Sequence, residues 1–179
     1  MQEIEIPAAK NQRADEMWRI IEQSAEFEGK TVLDLGCGHG DMLWRAGAAG
    51  AKDVLGVDSD ERICLDLRES SADVDNFSVL QYDINRLDSF LHSDIIFCFS
   101  VLPYLIDPDN TLHWIRGHSD MAFLEIQYAG DGPGFDHIHN DDDMRLWLEK
   151  IGCQKIEAIG RTHTRIRPAW RTIWKCSNA

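Results

Sequence analysis

The sequence predicts an α/β protein: an open, mostly parallel sheet with helices on both faces. Three observations predict it. Short apolar runs end in turn chemistry, longer helical patterns separate them, and the first run breaks into three glycines just where a helix begins. Residues 10–25 read as a helix ahead of the first strand. TVLDL (31–35) ends in glycines and hands over to a helix at 40–49. DVLGV (53–57) ends in Asp58, and Asp60 stands at the N-cap of a helix over 60–71. FSVLQY (77–82) ends in Asp83, before a helix at 84–91. DIIFCF (94–99) ends in Ser100, and Asp107 with Pro108 opens a helix over 108–118. MAFLEI (121–126) closes the series before AGDGPGFDHIHN (129–140), a Gly-rich loop. DDDMRLWLEKI (141–151) has acids in its first turn and Lys150 in its last, which suits a helix macrodipole. A strand over 154–160 and a returning antiparallel strand over 171–176 end the chain.

Strands of four to six apolar residues are buried on both faces, and their alternation with helices implies right-handed crossovers. In such sheets ligands bind beyond the carboxyl ends of the strands, at the switch point beside the first strand. The 179 residues fit one domain. The amino end has neither a basic region nor an apolar core, so no signal peptide is expected, and no apolar run approaches a membrane span. Five scattered cysteines without a C-x-x-C pair point to free thiols in a reducing compartment, hence the cytoplasm.

The net charge of −13 argues against a general nucleic-acid coat or a polybasic membrane binder. The charge is uneven, however: residues 151–179 carry six basic side chains against Glu157 alone.

VLDLGCGHGD (32–41) carries the strongest signal. Glycine permits the tight turn and lets backbone approach a ligand. Its G-x-G-x-G spacing falls one residue short of the dinucleotide fingerprint, which disfavours a nicotinamide enzyme. The motif resembles the first motif of the class I S-adenosylmethionine-dependent methyltransferases, D/E-x-G-x-G-x-G, here Asp34, Gly36, Cys37, Gly38 and Gly40. The resemblance extends from about residue 10 to 177. It implies a seven-stranded α/β/α sandwich of strand order 3-2-1-4-5-7-6, the last strand antiparallel.

It further implies that Asp58, with Ser59, holds the ribose hydroxyls, and that Asp83 and Ile84 hold the adenine. Ser100 would present backbone carbonyl to the methionine amino group. Arg13, in a helical lid over 1–28, would meet the methionine carboxylate. Cys37 is assigned packing within the turn. The residue chemistry agrees, since carboxylates accept from vicinal hydroxyls and from an exocyclic amine. Asp58 and Asp83 could equally act as caps for the helices after β-strand ends two and three.

The catalytic side is less legible. An in-line displacement at a sulfonium methyl gains most from positioning. The D/N-P-P-Y/F signature of amino-methylating DNA enzymes is absent, with FSVLPY (99–104) in its place. Tyr104 stands just past the fourth strand, and His137 and His139 come after the fifth on the same rim; each is a candidate to assist catalysis. Asp131, Asp136, His137, His139 and Asp141 match no closed metal spacing, so no metal is expected. Trp18 and Trp170 are the tryptophans placed to reach the pocket rim.

Arg161, Arg165, Arg167 and Arg171 fall on a rim loop over 161–170 and its far edge. Guanidinium groups there suit a carboxylate or phosphate, and Arg161, Arg165 and Arg167 are the candidates for substrate binding. The expectation is methyl transfer from S-adenosylmethionine to a small, anionic acceptor, releasing S-adenosylhomocysteine. A nucleic-acid acceptor is disfavoured by the acidic body, and a homo-oligomer or partner subunit is left open. Two alternatives stand beside it: a non-catalytic cofactor-binding partner of another methyltransferase, and an RNA or protein methyltransferase using the basic rim.

Overall fold

The computed structural model describes residues 12–87, 91–129, 136–163 and 170–178. Its elements run α1 (Gln12–Ile21), β1 (Thr31–Leu35), α2 (Asp41–Ala48), β2 (Asp53–Asp58), α3 (Glu61–Ser70), β3 (Phe77–Gln81), β4 (Ser93–Phe99), α4 (Pro108–His118), β5 (Ser119–Glu125), α5 (Asp141–Ile151), β6 (Lys155–His163) and β7 (Trp170–Ser177). The seven strands form one sheet in the order β3-β2-β1-β4-β5-β7-β6, with β7 antiparallel to both neighbours. This is the topology the sequence implied.

The pleat sends alternate residues to opposite faces, and each face meets its own helices. Val32, Val54, Phe97, Phe123 and Ile173 pack with α1 and α2, and with Leu67 of α3. Leu33, Leu35, Ile96, Cys98, Leu124 and Trp174 pack with α4 and α5. Asp60 caps α3 through the amides of Arg62 and Ile63, and Asp107 caps α4 through that of Asn110. Asn140 caps α5, and Gly152 ends it in the left-handed conformation.

Several expectations are corrected. Residues 84–91 do not form a helix over their described part: there is one 3₁₀ turn, Ile84–Arg86, capped by Asp83. Apolar Ile84 and Leu87 have helical spacing, and both pack against the core from this short turn. α1 is shorter than 10–25 within the described residues. β6 and β7 run longer than expected, because cross-strand pairing extends to His163 opposite Trp170. Trp18 is not on the rim; it packs against Phe27 at 4.9 Å. Among the described residues no helix is long and apolar enough to cross a membrane.

Candidate active site

The glycine turn forms the first wall. Gly36, Gly38 and Gly40 all have positive φ, at 76°, 50° and 75°. A Cβ at Gly36 would stand 2.3 Å from Val101 Cγ2, so the turn is wedged against the loop after β4. A Cβ at Gly38 would meet nothing within 4 Å, which leaves this backbone open to a ligand. The amides of Gly36 and Cys37 both donate to the Val57 carbonyl, at 2.8 and 3.0 Å, tying the turn to β2. Cys37 is buried, and burial first of all pushes its thiol well above the ordinary range, consistent with packing rather than nucleophilic work.

Asp58 sits at the end of β2 beside that turn. Its Oδ2 accepts from Gly38 N–H and its Oδ1 from Asp60 N–H, each at 3.0 Å. Each oxygen keeps a lone pair, so the carboxylate can still take a pair of hydroxyls. Ser59 is exposed next to it, and its carbonyl accepts from the Gln81 side chain at 3.4 Å. Asp34 lies buried beneath the turn. Burial, then the charges of Asp58 and Asp41, push its pKa up to about 8. Near neutral pH its carboxyl therefore carries a proton and can donate as well as accept.

Asp83 is exposed, and its Oδ1 accepts from the Asn85 amide and side chain at 3.0 and 2.8 Å. Those bonds hold its pKa below the ordinary carboxylate value. Ile84 is buried beside it. Asn85 also accepts from the Ile106 amide at 2.8 Å, so the loops after β3 and β4 close together on this side. Asp83 caps its turn through Oδ1, and its Oδ2 lies 3.8 Å from Arg86 Nε.

The far side is built around a residue that sequence reasoning missed. Glu125, the last residue of β5, is fully buried. Arg13 of α1 donates to Oε1, Ser100 Oγ donates to Oε2 at 2.6 Å, and Arg171 of β7 lies 3.4 Å from Oε1. Arg171 also donates to Ser100 Oγ at 2.7 Å. Ser100 is the one described non-glycine residue with positive φ, 60°, and its amide donates to the Glu125 carbonyl at 2.7 Å. Burial, then Arg13, lower the pKa of Arg171 against the opposing pull of Glu125. A signal for Glu125 was present: a lone acid inside a strand expected to be buried on both faces must have a partner.

The remaining candidates disperse. Tyr104 is 65% exposed on a 3₁₀ turn, Leu102–Tyr104, at the rim. His137 lines a cleft between α4 and α5 with Ile106, Leu146 and Trp147. His139 lines a different cleft of about 340 Å³, with Tyr128, Asp141, Arg161 and Trp170. The structure thus separates the two histidines. Arg161 is exposed and paired with Asp141 at 2.6 Å. Arg165 and Arg167 lie outside the described residues, as does Asp131. Among the described residues, no three acidic, histidine or cysteine side chains converge as metal ligands.

A family model for a methyltransferase domain matches residues 33–119. A tRNA U34 carboxymethyltransferase of Colwellia psychrerythraea is 25% identical over 182 residues, covering 90% of this chain and 56% of that protein. One of the same name from Alteromonas mediterranea is 24% identical with the same coverage. The chain thus spans little more than half the length of these curated relatives. Among solved structures, magnesium protoporphyrin IX methyltransferase of Synechocystis PCC 6803 with bound S-adenosylmethionine superposes with TM-score 0.74. Its identity is 21%, over 94% of this chain and 79% of that one. The bifunctional kinase-methyltransferase WbdD gives TM-score 0.72 at 22% identity, over 95% of this chain and 40% of that one.

Proposed function

We propose that this chain, which is a class I S-adenosylmethionine-dependent methyltransferase domain, transfers the cofactor's methyl group to a small anionic acceptor above the ends of β4, β5 and β7. The observation that carries this reading is the Glu125 cluster, where two guanidinium groups, Arg13 and Arg171, face one buried carboxylate. The cluster keeps a positive charge that Glu125 does not neutralise. Charge in a partly desolvated cleft draws an anion strongly.

The residues present fit the cofactor. Gly38 offers open backbone, Asp58 keeps lone pairs for a ribose diol, and Asp83 with Ile84 supplies an acceptor and an apolar neighbour for adenine. Ser100, held at positive φ, presents its backbone for an ammonium group, while the Arg13 guanidinium is already engaged by Glu125. When bound, the cofactor supplies a methyl group made electrophilic by its positive sulfur. The protein's part is to orient, exclude water and hold protons. Orientation alone can supply roughly 7–11 kcal/mol of a barrier in favourable cases. Tyr104 and His139 are the rim groups that could hold the acceptor's proton.

A second reading makes the acceptor a nucleotide within RNA. It is favoured by the tRNA U34 carboxymethyltransferases that match 90% of this chain. Against it, a net charge of −13 gives weak non-specific affinity for a polyanion.

The test is calorimetric titration of S-adenosylhomocysteine into wild type and Arg171→Ala, then transfer of labelled methyl to anionic small molecules and to bulk tRNA. Arg171→Ala should bind S-adenosylhomocysteine within a few-fold of wild type and raise the acceptor KM about tenfold or more, the weight of one charged hydrogen bond. Labelling of tRNA alone would establish the second reading. Tight binding with no transfer to either would identify a non-catalytic partner subunit.

A further inference from the structure

We propose that the cleft between the amino end of α5 and the β6–β7 edge is a stacking site for a planar heteroaromatic ring, the ring of the acceptor. This rests on the methyltransferase reading for the ring's purpose, but not for its binding.

Trp170 opens β7 and is 51% exposed. Its position is nevertheless fixed. It pairs with His163 across the β6–β7 ladder, and the two rings stack with centroids 3.5 Å apart, tilted by 35°. A large ring braced by a neighbouring ring yet half in water is a contact surface with only two side-chain torsions to fix on binding. Trp170 lines the cleft of about 340 Å³, a volume within the range of small-molecule sites.

The rest of the lining is polar and hydrogen-bonded together. Asp141, the first residue of α5, accepts from Tyr128 Oη at 2.5 Å, Thr172 Oγ1 at 2.6 Å and Arg161 at 2.6 Å. Burial, then donation to Asp141, push the Tyr128 phenol up to about 12, so it stays neutral. The pairing with Asp141 holds the Arg161 guanidinium at the cleft's edge. All these groups sit past the carboxyl end of β5 or beside the hairpin end of β6 and β7, on the rim that carries Ser100 and Arg171. An indole platform takes any flat ring, because stacking is tolerant of ring identity. Polar groups beside it favour a ring with heteroatoms at its edge, while Asp141 and Asp142 offset the charge of Arg161, so the cleft selects for the ring rather than for a negative substituent. A heteroaromatic ring with hydrogen-bonding atoms at its edge satisfies both.

The probe is uridine 5′-monophosphate, titrated by calorimetry into the full chain saturated with S-adenosylhomocysteine, so that the adenine site is filled. Ribose 5-phosphate serves as the ringless control. Uridine monophosphate should bind about tenfold or more tighter than ribose phosphate. Trp170→Leu should erase that advantage, and Trp170→Phe should restore it to within about threefold, in keeping with the usual weight of base stacking on an aromatic side chain. Melting curves confirm that both variants fold.

Equal binding of the two probes, or Trp170→Leu indistinguishable from wild type, overturns the proposal. A short oligouridylate that binds better than the free nucleotide would assign the ring to a nucleic-acid strand, and equal binding would assign it to a free nucleotide. If S-adenosylhomocysteine itself fails to bind, the methyltransferase reading falls, and the same titration without it still decides the stacking site.

Discussion

Replacing Glu125 with alanine should cost this protein far more stability than removing an ordinary surface acid. The side chain is fully buried, whereas Arg13 and Arg171 remain 23% and 12% exposed. Deleting the carboxylate leaves two guanidinium groups facing each other and Ser100 Oγ without its acceptor. Breaking a buried pair typically costs about 3–5 kcal/mol, and the water that still reaches both arginines places this case near the lower end, at about 3 kcal/mol. For a chain of this length that is a fall in Tm of roughly 6–12 °C.

Urea unfolding monitored by circular dichroism should show a lower midpoint with an unchanged slope. Glu125→Ala combined with Arg171→Ala should recover part of the loss, because it removes one of the two repelling charges. The main-chain bond from Ser100 to Glu125 survives either substitution, so affinity for S-adenosylhomocysteine should fall by less than about tenfold, the weight of one charged hydrogen bond. A midpoint change worth less than about 1 kcal/mol, or strict additivity in the double variant, would refute the reasoning.

The same geometry sets other outcomes. Asp58→Ala should weaken S-adenosylhomocysteine binding roughly 30-fold or more, since two charge-assisted hydrogen bonds to the ribose are lost, and calorimetry reads this directly. Asp34 has a folded-state pKa of about 8 against 3.8 for the free side chain. The native state therefore keeps a proton that the unfolded chain releases, and this stability is full below about pH 4 and drains away as pH rises through 8. Between pH 5 and 8 the wild type should lose on the order of 1 kcal/mol per pH unit relative to Asp34→Asn, seen as diverging melting curves. Gly36→Ala forces a side chain to positive φ and into Val101, at a cost of roughly 2 kcal/mol or more, and should lower both Tm and cofactor affinity.

The glycine turn and the acids at the strand ends were legible because their chemistry is local. A strand end, a glycine turn and an aspartate come one after another along the chain, so Asp34, Gly36, Gly38 and Asp58 fall on the motif positions of the resemblance. The turn at Ile84–Arg86 was not legible, since Ile84 and Leu87 have helical spacing and pack against the core just as a helix's apolar residues would. Trp18 failed for the opposite reason. Its place near the amino end suggested the rim, while its contact with Phe27 depends on how α1 lies against the sheet.

The sequence by itself determined the alternation of strands and helices, the caps at Asp60 and Asp107, and the glycine turn after β1. Each depends on contacts between near neighbours in the chain. Tertiary structure alone decided the Glu125 cluster. Glu125 gathers Arg13, Ser100 and Arg171, which are 112, 25 and 46 residues away from it. It also decided that His137 and His139, two residues apart, open into different clefts. Charges and rings on separate strand ends become one site only when the parallel sheet aligns those ends along a single rim, and no spacing along the chain encodes that distance.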